Sequence, residues 1–450
     1  MKFEVTSEYI NQLEEDVIAG NAELHLEELN DTHAADIAEV VDQMSLEAGK
    51  LLLHDLEDEK AADVLIELDE DLRAKILEDY SGLEIATELV DNLDSDDAAD
   101  LINELSEERQ REVLNSIEDP IQAKGLADLL IYPENTAGAL MGTELVKVNH
   151  NWRVLQCVKE MRRQAEDIEH VHSVYVVDDA NKLLGTLSLK KLLTTSTKTP
   201  IGEVFTKNAQ SVEAMDDAED VARAMEKYDL IVMPVVDSLN HLIGRITIDD
   251  VVDVIRDEAK EDYNFASGLV EDVESDDSVW TTTRARLPWL LIGLVGGLGA
   301  ASVIGRFELE LSHVPKMAFF IPLIAAMGGN VGVQSSAIIV QALASKSPMG
   351  SLLKRLFKEL GVGLLNGLIC SLIIVGASLF LGYETKLAIT VAVALISVVV
   401  VAALIGTFVP LLLDKYKIDP ALATGPFITT TNDILGLFIY FTIGSLLLGA

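Results

Sequence analysis

Apolar positions change their spacing along this chain, and each change marks a different kind of element. From about residue 7 to 130 they recur every three or four residues between short polar joints, which predicts helix after helix. The phrase Ala-Ala-Asp returns at Ala34-Ala35-Asp36, Ala61-Ala62-Asp63 and Ala98-Ala99-Asp100. An aliphatic stripe follows each copy, for example Leu101, Leu105 and, after a break, Val113 and Ile117. Intervals of 27 and 37 residues make a loose repeat, whose natural fold is a small right-angled helical stack. From about 138 to 255, strand-like runs alternate with helical ones. Val174-Tyr175-Val176-Val177-Asp178 and Leu184-Gly185-Thr186-Leu187-Ser188 return 59 residues later as Met233-Pro234-Val235-Val236-Asp237 and Ile243-Gly244-Arg245-Ile246-Thr247. Asp178/Asp237, Gly185/Gly244 and Ser188/Thr247 keep that offset, so this is an internal duplication. The last part holds five apolar runs, at about 287–304, 317–344, 352–381, 387–413 and 422–448, each able to cross a bilayer as a helix.

The expected organisation is a multidomain, α-helical, polytopic membrane protein. An acidic helical N domain occupies 1–130, a tandem α/β module 131–248, an acidic connecting helix and linker 249–283, and a five-helix membrane domain 284–450. Charge follows the same division. The whole chain carries −40, but residues from Arg284 onward hold 11 Lys+Arg and 7 Asp+Glu, so residues 1–283 carry −44. Such a front end repels nucleic acid and anionic lipid, attracts cations, and strains its own compact form unless counterions bind. Acidic clusters such as Asp94-Ser95-Asp96-Asp97 stand at helix starts, where capping and the helix dipole are the plain explanation. The helix leaving the duplicated module is different. Asp250, Asp253, Asp257 and Glu261 recur at i+3 and i+4 and form one acidic stripe, with Asp249, Glu258 and Asp262 beside it. Like charges so spaced are mutually destabilising. The stripe is either a solvated face or a surface that divalent cations quiet.

The two cysteines, Cys157 and Cys370, form neither a framework nor a zinc site. Met1 to Gly20 is acidic and lacks an apolar core, so no signal peptide is expected and the soluble part is placed in the cytoplasm. Basic flanks agree. Arg284, Arg286, Lys346, Lys354, Arg355, Lys358, Lys415 and Lys417 fall on one side of the runs, which places the C-terminus outside.

Asp433 lies well inside the last run, preceded by Thr429-Thr430-Thr431-Asn432. A carboxylate at mid-membrane costs about 2.5–3.5 kcal/mol even on lenient scales, so it faces a pore or a partner. Interhelical hydrogen bonds with no traffic past them are the alternative. Pro426 and Gly436 are expected to loosen the helix on either side.

The duplicated strand–Asp–strand–Gly-x-x-(Ser/Thr) pattern resembles a tandem CBS-domain pair. That resemblance implies a regulatory module that often binds adenosine nucleotides, an Asp after the Ser/Thr holding the ribose. The second copy keeps it, in Thr247-Ile248-Asp249-Asp250, whereas Lys191 stands at the matching place after Ser188-Leu189-Lys190. ATP is therefore a candidate ligand with half of its grip missing.

Run 2 reads Pro322-Leu323-Ile324-Ala325-Ala326-Met327-Gly328-Gly329-Asn330-Val331-Gly332-Val333-Gln334-Ser335. With Asp419-Pro420-Ala421 and the Thr429–Gly436 stretch, and with the parts in this order, the whole chain resembles the MgtE family of bacterial magnesium channels. The resemblance implies a transporter and not an enzyme: a homodimer in the bilayer, its pore between subunits, with hydrated Mg²⁺ held by Asp433 of both chains. Gly328, Gly329 and Asn330 would lie beside the pore, with Thr429, Thr430 and Asn432. The connecting helix would be the plug that closes it when cytosolic Mg²⁺ binds. Glu258 and Asp419 would then share an ion, Asp250 would face Asp96 or Asp97 across another, and Asp253 would share a third with Glu219 and Asp229. Mg²⁺ suits an all-oxygen set, since it is hard and keeps most of its waters. An ion-coupled carrier of divalent cations using the same intramembrane site is the alternative, and a non-transporting sensor leaves Asp433 unexplained.

Overall fold

The computed structural model describes residues 6–166, 168, 170–273, 277–344, 351–423 and 425–449. These divide into two compact units, Met1–Arg256 and Asp257–Ala450. Three helices of the first carry the repeated phrase: α1 (Ala34–Asp42), α2 (Asp58–Glu67) and α3 (Ser95–Asn103). Their alanines Ala34, Ala62 and Ala99 are buried, while Asp63 and Asp100 stay outside. The small side chains let neighbouring helices approach, and Leu101, Leu105, Val113 and Ile117 all enter one core with them.

The duplicated module forms two sheets. In the first, β1 (Val146–Asn149), β2 (Val174–Val177), β3 (Leu183–Leu187) and β4 (Thr206–Lys207) lie in sequence order. In the second, β5 (Val212–Glu213), β6 (Val232–Val236) and β7 (Leu242–Thr247) do the same. Each has a parallel pair followed by an antiparallel hairpin, and the register shifts at Val176/Val177 and again at Val235/Val236. Asp178 and Asp237 end matching strands and accept backbone N–H bonds two and four residues on, from Ala180 and Lys182 and from Leu239 and His241. The duplication also includes Asn181 and Asn240, both left-handed at φ 63° and 67°. The two turns exchange bonds: Asn181 Nδ2 donates to the Leu242 carbonyl (3.0 Å) and Asn240 Nδ2 to the Leu183 carbonyl (3.1 Å). The repeated glycines are required by close backbone approach, since a Cβ at Gly185 would strike the Thr206 carbonyl oxygen and one at Gly244 that of Gly142. On the second copy, α4 (Ala218–Tyr228) precedes β6, and α5 (Ile248–Ser267) leaves β7.

The second unit begins within α5. It contains α6 (Val279–Arg306), α7 (Ile321–Ala344), α8 (Leu352–Phe380), α9 (Thr385–Lys415) and α10 (Gly425–Leu448). These supply the five candidate membrane spans among the described residues, where five apolar runs were read. Central α9 packs on α7, α8 and α10, and α6 packs on α10. Gly363 and Gly367 bring α8 within contact of the α9 backbone at Val400 and Ile396. Pro426 falls in the first turn of α10, where its missing N–H costs nothing, so it starts the helix instead of loosening it. Gly436 packs on Val398 and is likewise an interface residue.

Candidate metal centres

In the membrane unit the sequence-selected residues fall into separate groups. Gly329 of α7 faces Thr429 and Asp433 of α10: a Cβ built on it would lie 3.4 Å from Thr429 Cγ2 and 3.9 Å from Asp433 Oδ1. Asp433 is half-buried and, among the described residues, forms no hydrogen bond or ion pair. That counts against an aspartate merely stapled to a neighbouring helix. Asn330 is exposed at the next position of α7. Asn432 and Gly328 are elsewhere. The Asn432 side chain is 2 % exposed, wedged against Gly332 so closely that a Cβ there would overlap its amide, and Gly328 packs on Val398 and Asn432. Among the described residues neither amide atom of Asn432 has a hydrogen-bond partner, and the side chain is enclosed between α7 and α10 beside the Asp433 seam. Thr430 turns to α6, where only a glycine, Gly296, fits beneath its methyl.

Asp419 is exposed in the joint between α9 and α10, and its Oδ1 accepts from the Ala421 N–H at 2.8 Å. A 3-10 turn, Pro420–Ala423, follows. The end of α5 lies against the start of α10. A Cβ on Gly425, already left-handed at φ 53°, would be 3.0 Å from the Ala266 carbonyl oxygen, and Gly268 (φ 79°) rests on Pro426. Glu258 lies on the exposed face of α5 in the same unit.

The first unit has a denser acidic site. Asp94, Asp96 and Glu144 each offer a carboxylate oxygen within 4.8 Å of the others, the group of three such ligands found among the described residues. Asp94 stands at the N-cap of α3 but makes no cap bond; its Oδ2 accepts from Arg245 Nη2 at 2.9 Å. The same arginine, 7 % exposed, donates through Nε to the Glu144 carbonyl at 2.6 Å, and so ties the helical stack to the duplicated module. Asp96 is 7 % exposed and lies against Gly142, where a Cβ would be 2.7 Å from its Oδ2. Asp250 accepts from Thr247 N–H (3.0 Å) and Oγ1 (2.5 Å). Burial, then the neighbouring charge of Asp250, pushes the Asp96 carboxyl well above the usual range and that of Asp97 up to about 7; burial also raises Asp250. Both Asp96 and Asp97 thus sense Asp250.

The third expected set is held differently. Asp253 pairs with Arg256 (3.2 Å) one turn along α5, Glu219 pairs with Arg223 (2.5 Å) along α4, and Asp229 ends α4 in a left-handed turn at φ 51°. Sequence reasoning missed Asp94 and Glu144. Asp94 was visible in an acidic run that capping seemed to explain, and Glu144 carried no signal.

Family models agree with this layout. A model described as a divalent cation transporter, MgtE, matches residues 321–443, the MgtE intracellular N domain matches 32–135, and CBS domains match 137–197 and 201–257. The magnesium transporter MgtE of Bacillus subtilis is 34% identical over 326 residues, 72% of each chain. That of Thermus thermophilus is 37% identical over 340 residues, 75% of each. Among solved structures, the soluble part of a magnesium transporter matches 56% of this chain and 98% of its own at 30% identity and a TM-score of 0.51. The cytosolic domain of the Mg²⁺ channel MgtE in complex with ATP matches 54% and 99% at 31% identity and 0.51. With its N domain, CBS pair and five apolar helices in this order, the chain belongs to the MgtE family of magnesium transporters.

Proposed function

We propose that this membrane transporter is a Mg²⁺-selective channel that imports magnesium and is closed by cytosolic Mg²⁺. The observation that carries the reading is Asp433: a membrane-depth carboxylate with no partner among the described residues, set against a glycine of α7 and the hydroxyl-bearing Thr429. Two copies of Asp433, one from each subunit of a homodimer, would hold an ion that keeps its waters. The soluble unit faces the cytoplasm and the C-terminus is external. Closure follows from charge. At Asp94, Asp96, Asp97, Glu144 and Asp250, a bound divalent ion replaces repulsion among carboxylates with shared attraction, and so favours the docked form. Glu258 and Asp419 share a further ion in the closed form, and Asp253 is drawn from Arg256 towards Glu219 and Asp229. In this reading 1–130 is the N domain, 131–248 the CBS pair, 249–283 the plug and linker, and 284–450 the pore domain.

The carrier reading needs a second exchangeable group in the membrane. Glu359, near the start of α8, is the acid such a carrier would have to use, and it accepts a 2.6 Å hydrogen bond from Ser335, which supports the channel. One structural relative holds ATP in its cytosolic domain. Here Lys191 sits in the first turn after Ser188, its N–H capped by the Ser188 hydroxyl at 3.3 Å, where a ribose-binding acid is expected. We assign this chain weak ATP binding or none. Flux into liposomes under a membrane potential, with neither a proton nor a sodium gradient, tests the channel reading; uptake that requires such a gradient would replace it with the carrier.

A further inference from the structure

Resting on the reading that cytosolic Mg²⁺ closes the pore, we propose that Ser336 is the positioning residue through which closure reaches the pore helix. Ser336 of α7 is 0% exposed, and its Oγ donates to the carbonyl of Ala423 at 3.0 Å. Ala421 and Ala423 of the same 3-10 turn are buried with it. This turn follows Asp419 directly, so one hydroxyl ties the described residues after the proposed gating acid to α7.

The joint is held from both sides. Outside, the Ala266 and Phe265 carbonyls of α5 lie against Gly425, and Gly268 lies against Pro426. Inside, Ser336 continues the face of α7 on which Gly329 meets Thr429 and Asp433 and Gly332 meets Asn432. Asp419 spends Oδ1 on the Ala421 N–H, so an ion taken by that carboxylate pulls directly on the turn that Ser336 holds. A shift of α5 or of Asp419 is therefore passed to α7 and α10 together, because the turn cannot slide past a bonded, fully buried hydroxyl.

Ser336→Ala removes the bond with little change in volume. In full-length protein in liposomes, maximal Mg²⁺ flux at low internal Mg²⁺ stays within about twofold of wild type. The internal Mg²⁺ needed for half-closure rises about two- to tenfold, the range that one hydrogen bond's net worth covers. Protection of the soluble region from trypsin by Mg²⁺ keeps its midpoint, because the ions still bind. Ser371→Ala is the control: this buried serine of α8 donates to the Ala392 carbonyl at 2.8 Å, away from the joint, and its loss leaves closure unchanged. An unshifted half-closure in Ser336→Ala overturns the proposal, as does a shift shared by the trypsin midpoint or by Ser371→Ala. If Ser336→Ala fails to insert, Ser336→Cys, near in size and a weaker donor, carries the same expectation. Wild-type protein that never closes would instead sink the gating reading beneath it.

Discussion

Mg²⁺ binding at the junction of helical stack and CBS pair should depend steeply on pH between 6 and 8. Asp97 has its carboxyl raised to about 7 by burial and by Asp250, with Asp100, Asp94 and Asp249 adding to the effect. Asp96 is also raised, by burial first and then by Asp250, and Arg245 opposes this in part. A carboxyl with a folded value above its unfolded one favours the docked form at low pH. That contribution is complete below the usual carboxylate range, near pH 4, and is lost as pH rises through about 7, unless a cation takes the proton's place. Mg²⁺ must displace this proton. For Asp97 alone, with a value of about 7, the midpoint is about tenfold weaker at pH 6 than at pH 8, and Asp96 adds to that. Trypsin protection of the full-length protein, titrated with Mg²⁺ at pH 6, 7 and 8, reads the midpoint. Asp97→Asn should flatten the profile. A wild-type midpoint that moves less than about twofold, or tightens as pH falls, would refute the assignment of these carboxylates as ligands.

Other substitutions bear on separate parts of the account. Asp433→Ala should reduce Mg²⁺ uptake by at least about tenfold with dimerisation and thermal stability kept, since it removes a charge-assisted ligand worth about 1.5–3 kcal/mol and leaves no orphaned partner; wild-type flux from a correctly inserted mutant would take Asp433 off the ion's path. Neutralising Asp250, Asp253 and Glu258 together should let currents persist at internal Mg²⁺ that silences the wild type, as patch recordings can show; closure at the wild-type concentration would make the acidic stripe of α5 a solvated face. Calorimetry on the detergent-solubilised protein should find ATP binding weak or absent, and restoring the acid with Lys191→Asp should strengthen it; tight binding by the wild type would show that Lys191 is no obstacle.

Much of this was legible because periodicity survives in sequence. The offset of Asp178 and Asp237 gave the two CBS repeats, and five apolar runs gave the five helices. The partner of Asp94 was not legible. A cap and an ion pair to Arg245, 151 residues away, ask for the same residue type, and only the fold decides between them. Faces within the membrane were equally hidden. Asn432 and Asp433 are adjacent polar residues in one apolar run, yet a helix sets neighbours about 100° apart, which buries one and leaves the other at the seam. Pro426 was misread for a related reason, since its effect depends on whether the helix has already begun.

The most direct test of the central claim is Mg²⁺ flux into liposomes holding the purified protein, driven by a potassium diffusion potential with no proton or sodium gradient, at low and at millimolar internal Mg²⁺. A channel closed by internal Mg²⁺ gives rapid uptake that scales with the potential at low internal Mg²⁺ and falls towards the protein-free rate at millimolar levels. Uptake that needs a proton or sodium gradient, or that is indifferent to internal Mg²⁺, would contradict it.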